Sequence, residues 1–180
     1  MTDYKCSTFD YLRRRLGEVG VSEDSVLSQL SPDDGELFRS ALPLTWAPGP
    51  AAGRVLRAAC LLIAPHDPNP LHEVGRAMAG DHMNGMYRLL LRFTSISTVV
   101  EKAATLWSTF HKRGKARVEH RPSENCGIFI VEDYPSFDAN IRANVGGYIQ
   151  GLIELTGAKS VNVKENESSH DTWRWIVHWS

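Results

Sequence analysis

Up to about residue 112 the apolar positions recur every three or four residues; beyond it, alternation of period two appears on either side of one further helix. Ser7 is placed to cap a helix over Thr8–Gly17, with Asp10 three residues on and Phe9, Leu12 and Leu16 on one face. Ser22 opens a second helix through Val26, Leu27 and Leu30. Ser31-Pro32-Asp33-Asp34 opens a third, with proline at the first helical position, carboxylates at the positive end and Leu37, Phe38 and Ala41 as its apolar side. The stretch Pro43 to Pro50 around Trp46 reads as a loop. Helical periodicity resumes in Val55, Leu56, Ala59, Leu62 and Ile63 until Pro65, Pro68 and Pro70 break it.

Leu71 to Phe93 is the longest helical candidate, with Leu71, Val74, Met78, His82, Gly85 and Leu89 on one stripe. Gly75, Gly80 and Gly85 interrupt it and predict a close backbone approach, a bend or a break. Ile96, Val99, Val100, Ala103, Leu106, Trp107 and Phe110 then form a cleaner helix, with Lys112 and Arg113 at its negative end before Gly114.

In Lys115 to Arg121 the period changes to two, and Cys126 to Val131 follows with apolar residues on both faces, so the short turn Pro122–Asn125 predicts an antiparallel hairpin. Ser136 is read as the start of a helix whose buried stripe is Phe137, Ile141, Val145, Tyr148, Ile149 and Leu152, ending near Gly157. Gly147 and Gly151, four apart, leave a strip of it free of side chains. Ser160–Lys164 and Asp171–Trp179 complete the chain as strands joined by the turn Asn166–His170. The expected architecture is α+β: a single domain over 1–180, mainly helical over 1–112, with a ββαββ arrangement and a four-stranded antiparallel sheet over 113–180.

Composition adds few constraints. With 180 residues, 42% hydrophobic and 23% charged, and a formal net charge of −1, the chain has the length of one domain and no basic excess for nucleic acid or an acidic membrane, although a local patch remains compatible. The beginning, Met1-Thr2-Asp3-Tyr4-Lys5, lacks the apolar core of a secretory signal, so the cytoplasm is the expected location. The longest apolar run, Ala58 to Ala64, is far short of the ~20 residues of a membrane span. Cys6, Cys60 and Cys126 read as buried thiols.

Candidate chemistry centres on aromatics and histidines. Trp173, Trp175, Val177 and Trp179 project to one face of the last strand, either as sheet core or as the lining of a cavity between sheet and helices. If that face packs on the 136–157 helix, Phe129, Val131 and Ile176 are expected on the other face, needing cover from the N-terminal helices or a second subunit. The seven histidines, His66, His72, His82, His111, His120, His170 and His178, include no pair at metal spacing. His82, beside Asp81 on an apolar stripe, is the one placed to meet a ligand. The nucleophile elbow and the glycine-rich phosphate loops are absent, and no enzyme is indicated. Arg13-Arg14-Arg15 and the run Lys112, Arg113, Lys115, Arg117 and Arg121 are read as solvated helix and strand faces.

Three segments, Trp107 to Gly114, Gly147 to Ala158 and Trp173 to Trp179, resemble the group named after 4-vinyl reductase, closest to a bacterial branch of single-domain proteins, over roughly residues 70–180. The resemblance implies helices on a four-stranded antiparallel sheet and a non-enzymatic sensory module for small hydrophobic molecules, acting as a homodimer or through a partner protein. Trafficking-complex subunits share that architecture. The haem-based nitric-oxide sensor domains are similar in length and in the strand-strand-helix-strand-strand tail, but their Tyr-x-Ser-x-Arg motif, which holds the haem propionates, is matched here by Tyr134-Pro135-Ser136-Phe137-Asp138, with an acid in place of the arginine. A carboxylate repels a propionate, so no cofactor is carried over, and haem stays as the alternative. The zinc-binding cysteines of some vinyl-reductase-like domains have no counterpart. The residues expected to line a pocket for a small hydrophobic ligand are Tyr87, Trp107, Tyr148, Trp173 and Trp175, with His82 as the polar contact.

Overall fold

In a computed structural model, residues 2–83, 95–135, 137–169 and 171–180 are described. Three of the described helices begin where a side chain takes up their free N–H groups. Ser31 accepts from the Asp34 amide (3.2 Å), Ser95 from Thr98 (3.2 Å) and Asp138 from Asn140 and Ile141 (2.9 and 3.2 Å). The helices are α1 (Ser7–Glu18), α2 (Glu23–Leu27), α3 (Pro32–Ser40), α4 (Gly49–Ile63), α5 (Pro70–His82), α6 (Ile96–Phe110) and α7 (Ala139–Glu154). Two starts differ from expectation. Cys6, not Ser7, stands at the N-cap of α1 and makes no side-chain cap, and α7 begins at Ala139 because Asp138 is the cap. Of the stretch expected to be helical to Phe93, α5 takes residues 70–82, and 84–94 lie outside the described residues.

Six strands accompany them among the described residues. Two lie in the helical half, unannounced by any alternation: β1 (Thr2–Lys5) pairs antiparallel with β2 (Trp46–Pro48), inside the stretch expected to be loop. The others, β3 (Lys115–Arg121), β4 (Cys126–Glu132), β5 (Val161–Ser169) and β6 (Thr172–Trp179), form an antiparallel sheet in the order β3-β4-β6-β5. Gly114, at φ +77°, turns the chain from α6 into β3, a conformation that favours glycine. Together these elements make the α+β architecture expected.

Strand register corrects one expectation. Phe129 faces Trp175 and Val131 faces Trp173 across β4 and β6, so all four share the helix-facing side with Val118 and Val177. Cys126, Ile128, Ile130 and Ile176 occupy the opposite side. There Ile130 is only 1% exposed within the single chain, on a face shared with Arg117, Glu119 and Arg174.

Helices α6 and α7 cover the inner face, and α5 lies across α7 at very short range. A side chain at Gly147 would run into the His72 carbonyl, at Gly151 into that of Arg76 and at Gly75 into that of Asn144. The glycines thus make the close approach that their spacing predicts. Asn144, 2% exposed in the middle of α7, donates to the Leu71 carbonyl (3.0 Å) and ties the two helices by a satisfied buried amide. The Arg13–Arg15 run is structural. Arg13 donates to the Phe38 carbonyl, Arg14 pairs with Asp81 (3.0 Å) and Arg15 with Glu18 (2.7 Å). All three cysteines are free and buried, and burial pushes the Cys60 thiol up, which keeps it unreactive.

Candidate functional site

Where α1, α5, α6 and α7 converge over β4, the packing leaves a cavity of about 70 Å³. Its wall is built by period. Trp107, Phe110 and His111 come from the end of α6, Val145, Tyr148, Ile149 and Leu152 from α7, Met78 and His82 from α5, and Tyr4 and Thr8 from the N-terminal strand and helix. A second void of about 20 Å³ lies beyond, sharing Phe129, Ile149 and Leu152 with the first. No Lys, Arg, Asp or Glu stands in the described wall of either.

His82 is held as an oriented polar group. Its Nδ1 lies 3.3 Å from the Tyr148 hydroxyl, its ring lies parallel to Phe110 (5.7 Å, 2°), and Tyr11 meets it edge-on at 6.1 Å. Burial lowers its pKa more than the neighbouring Asp81 raises it, so the ring is neutral at physiological pH. Burial also pushes the Tyr148 phenol up, so that it stays protonated.

His111 is more deeply enclosed. It stacks on Trp107 at 3.8 Å and 8°, with Tyr4, Tyr134 and Phe137 edge-on around it. Its Nδ1 is buried and finds no hydrogen-bond partner among the described residues, and burial alone lowers its pKa to about 3. Native interiors rarely tolerate an orphaned polar atom, and a bound molecule is one way to satisfy it. Trp107 itself is fixed by donation from its indole N–H to the Arg113 carbonyl (2.7 Å).

The residues expected to line a pocket therefore separate. Trp107, Tyr148 and His82 stand together at the cavity wall. Trp173 and Trp175 do not border it: the Trp173 indole donates to the Tyr134 carbonyl (3.0 Å) under the Arg142 guanidinium (3.7 Å), and that of Trp175 donates to the Arg142 carbonyl (3.2 Å) against Gly146. They are the core between sheet and α7, where Gly146, bare of a side chain, lets that helix settle onto Trp175. Tyr87 lies outside the described residues. Tyr4 and His111 were not singled out in the sequence; His111 lies just past the end of α6, in extended backbone. Among the described residues no group of three His, Cys, Asp or Glu is placed to hold a metal ion.

No family model and no curated protein matches the sequence. Solved structures do. An H-NOX protein from S. oneidensis in the Fe(II)NO ligation state is similar over 98% of this chain and 99% of its own, at 10% identity and a TM-score of 0.67. The Fe(II) unliganded H-NOX protein from K. algicida matches over 98% and 96% at 12% identity and 0.64, and a point mutant of T. Tengcongensis H-NOX over 97% and 95% at 12% and 0.62. The chain has an H-NOX-like fold. The likeness to haem nitric-oxide sensor domains thus holds at the level of fold, while these structures do not show the closer resemblance to the 4-vinyl reductase group.

H-NOX proteins carry haem, and the described residues here do not fit it. A cavity of about 70 Å³ is well below the roughly 300 Å³ at which sites for drug-sized ligands begin. Its described wall has no cation to neutralise two propionates. Asp138, where the motif's arginine is expected, is used twice over: it caps α7, and its carboxylate fills the space that Gly53 leaves on α4.

Proposed function

We propose that this chain is a non-enzymatic sensor module of H-NOX-like fold that takes a small, uncharged, apolar molecule directly into the cavity between its helices and sheet, in the cytoplasm. The observation that carries the reading is the wall itself: mostly aromatic and aliphatic and without a charged side chain, where Thr8 and Asn144 are already hydrogen-bonded and neutral His82 and the His111 Nδ1, unpartnered among the described residues, are the polar points left to a ligand. An ionised ligand would be buried there without a counter-charge, at a cost of several kcal/mol. The volume corresponds to roughly five water-sized positions, which limits the occupant to a handful of heavy atoms. A ligand there rests against Trp107 and His111 at the end of α6, and through that end its presence passes to a partner protein or a second copy.

The whole-length likeness to Fe(II)-carrying sensors speaks more directly for a second reading, a haem-based gas sensor; the side chains speak for the first. Two measurements on the purified protein separate them. Native mass spectrometry is expected to show a small adduct that is absent from Val145→Trp, which fills the cavity. Absorbance after incubation with hemin is expected to show no Soret band beyond that of free hemin. A stoichiometric Soret shift overturns the apolar-ligand reading in favour of haem, and a clean mass for the wild type with no hemin uptake removes both.

A further inference from the structure

Away from the cavity, the loop between α3 and β2 exposes apolar surface that the fold does not require. Leu42 and Leu44 are 66% and 81% exposed, among the few large hydrophobic side chains of the described residues left in solvent. Pro43 stiffens the tip between them, and no acidic residue occurs from Ala41 to Pro48. At its base the half-buried Trp46 ring is flanked by two ammonium groups, Lys5 Nζ at 4.7 Å and Lys112 Nζ at 4.6 Å from its centroid. Neither lysine has a carboxylate partner among the described residues; the one polar contact of Lys5 is a long donation to the Leu44 carbonyl (3.4 Å). Elsewhere on the surface cations are mostly paired: Arg14 with Asp81, Arg15 with Glu18, Arg54 with Asp34, Arg76 with Glu154, Arg117 with Glu132.

We propose that the loop Leu42–Trp46 docks this domain on an anionic lipid surface. Leu42 and Leu44 enter the acyl boundary, the Trp46 indole sits at headgroup level, and Lys5 and Lys112 pair with lipid phosphates. A protruding tip of two leucines meets a soft bilayer more readily than a preformed protein groove, and tryptophan with flanking lysines matches the polarity profile of the interface. The patch is local, so the overall charge of −1 does not oppose it. The attraction acts over a Debye length, and each lysine near such a surface is worth about fivefold in partitioning. The proposal does not depend on what occupies the cavity.

Co-sedimentation with phosphatidylcholine vesicles, with and without 30% phosphatidylglycerol, tests it. The wild type is expected to pellet with the anionic vesicles only, and less at 0.5 M than at 0.05 M NaCl. Leu44→Asp and Lys112→Glu are each expected to lower partitioning at least about fivefold; both sites face solvent, and unchanged circular dichroism spectra confirm that the fold is kept. Failure of the wild type to pellet, equal pelleting with both vesicles, or wild-type pelleting by Leu44→Asp overturns the proposal, and the first of these returns the loop to the class of protein-docking surfaces.

Discussion

Tyr4 and His111 pair as an isolated antiparallel bridge, and their rings meet edge to face at 5.5 Å and 71°. Both side chains line the cavity, so the contact closes it where the N-terminal strand meets the end of α6. Lys5 and Lys112, the next residue in each case, flank Trp46. The cavity wall and the exposed Leu42–Trp46 loop are thus one residue apart along two separate chain segments.

His111 predicts an acid limb of stability. Its folded pKa lies near 3 and its unfolded value near 6.5, so between these the unfolded chain binds the extra proton. Stability therefore rises with pH across that window and is lost as pH falls below about 6.5, by at most about 1.4 kcal/mol per pH unit from this group. His82, also lowered by burial, acts in the same direction. Urea unfolding of the wild type from pH 4 to 8 is expected to show this slope, and His111→Phe to flatten it. An identical slope in the variant would remove His111 as its source.

The glycines of the α5–α7 contact are expected to be far more sensitive than an exposed one. Gly147→Ala drives a methyl into the His72 carbonyl and costs about 3 kcal/mol by overpacking. Gly17→Ala, in α1 with nothing within 4 Å of the new methyl, stabilises by up to about 1 kcal/mol. Thermal unfolding of both variants checks the contrast, and a Gly147→Ala protein as stable as the wild type would mean the helices are free to separate.

That contact was legible in the sequence because spacing alone places Gly147 and Gly151 on one strip, and the same holds for the tryptophan face of β6. What was not legible has particular causes. Strands of four and three residues, β1 and β2, are too short to display alternation. The apolar run of β4 occupies both faces, so only its register with β6 could place Phe129 beside Trp175. His111 is the cap of α6, at φ −134° and ψ 134°, where the helical period no longer says which way a side chain points. The tryptophan stripe reads first as sheet core, with one or two indoles as cavity lining, and the seat of α7 at Gly146 on Trp175 decides for core. At the site, Trp107, Tyr148 and His82 could be picked from pattern; Tyr4 could not, because the bridge that brings it there joins residues far apart in sequence.

Asp138 is expected to behave as a helix cap rather than as a ligand-binding group. Asp138→Ala frees the Asn140 and Ile141 amides and costs about 1 kcal/mol, while Asp138→Asn keeps an accepting oxygen and most of the stability. Denaturant midpoints of the pair measure this. Equal midpoints for Ala and wild type would show that the cap is dispensable and leave the acid at this position without a structural role.

Trp107 and Trp175 are expected to fail in different ways. Trp175, 1% exposed and held by its hydrogen bond to the Arg142 carbonyl, is core, so Trp175→Phe lowers stability by about 2 kcal/mol and leaves the bound adduct in place. Trp107 forms the wall on which His111 stacks, and Trp107→Leu enlarges the cavity and removes that platform. Its adduct is expected to be lost in native mass spectra, or exchanged for a larger one, at a comparable loss of stability. Retention of the same adduct by Trp107→Leu together with its loss from Trp175→Phe would move the ligand out of this cavity and to the sheet side of α7.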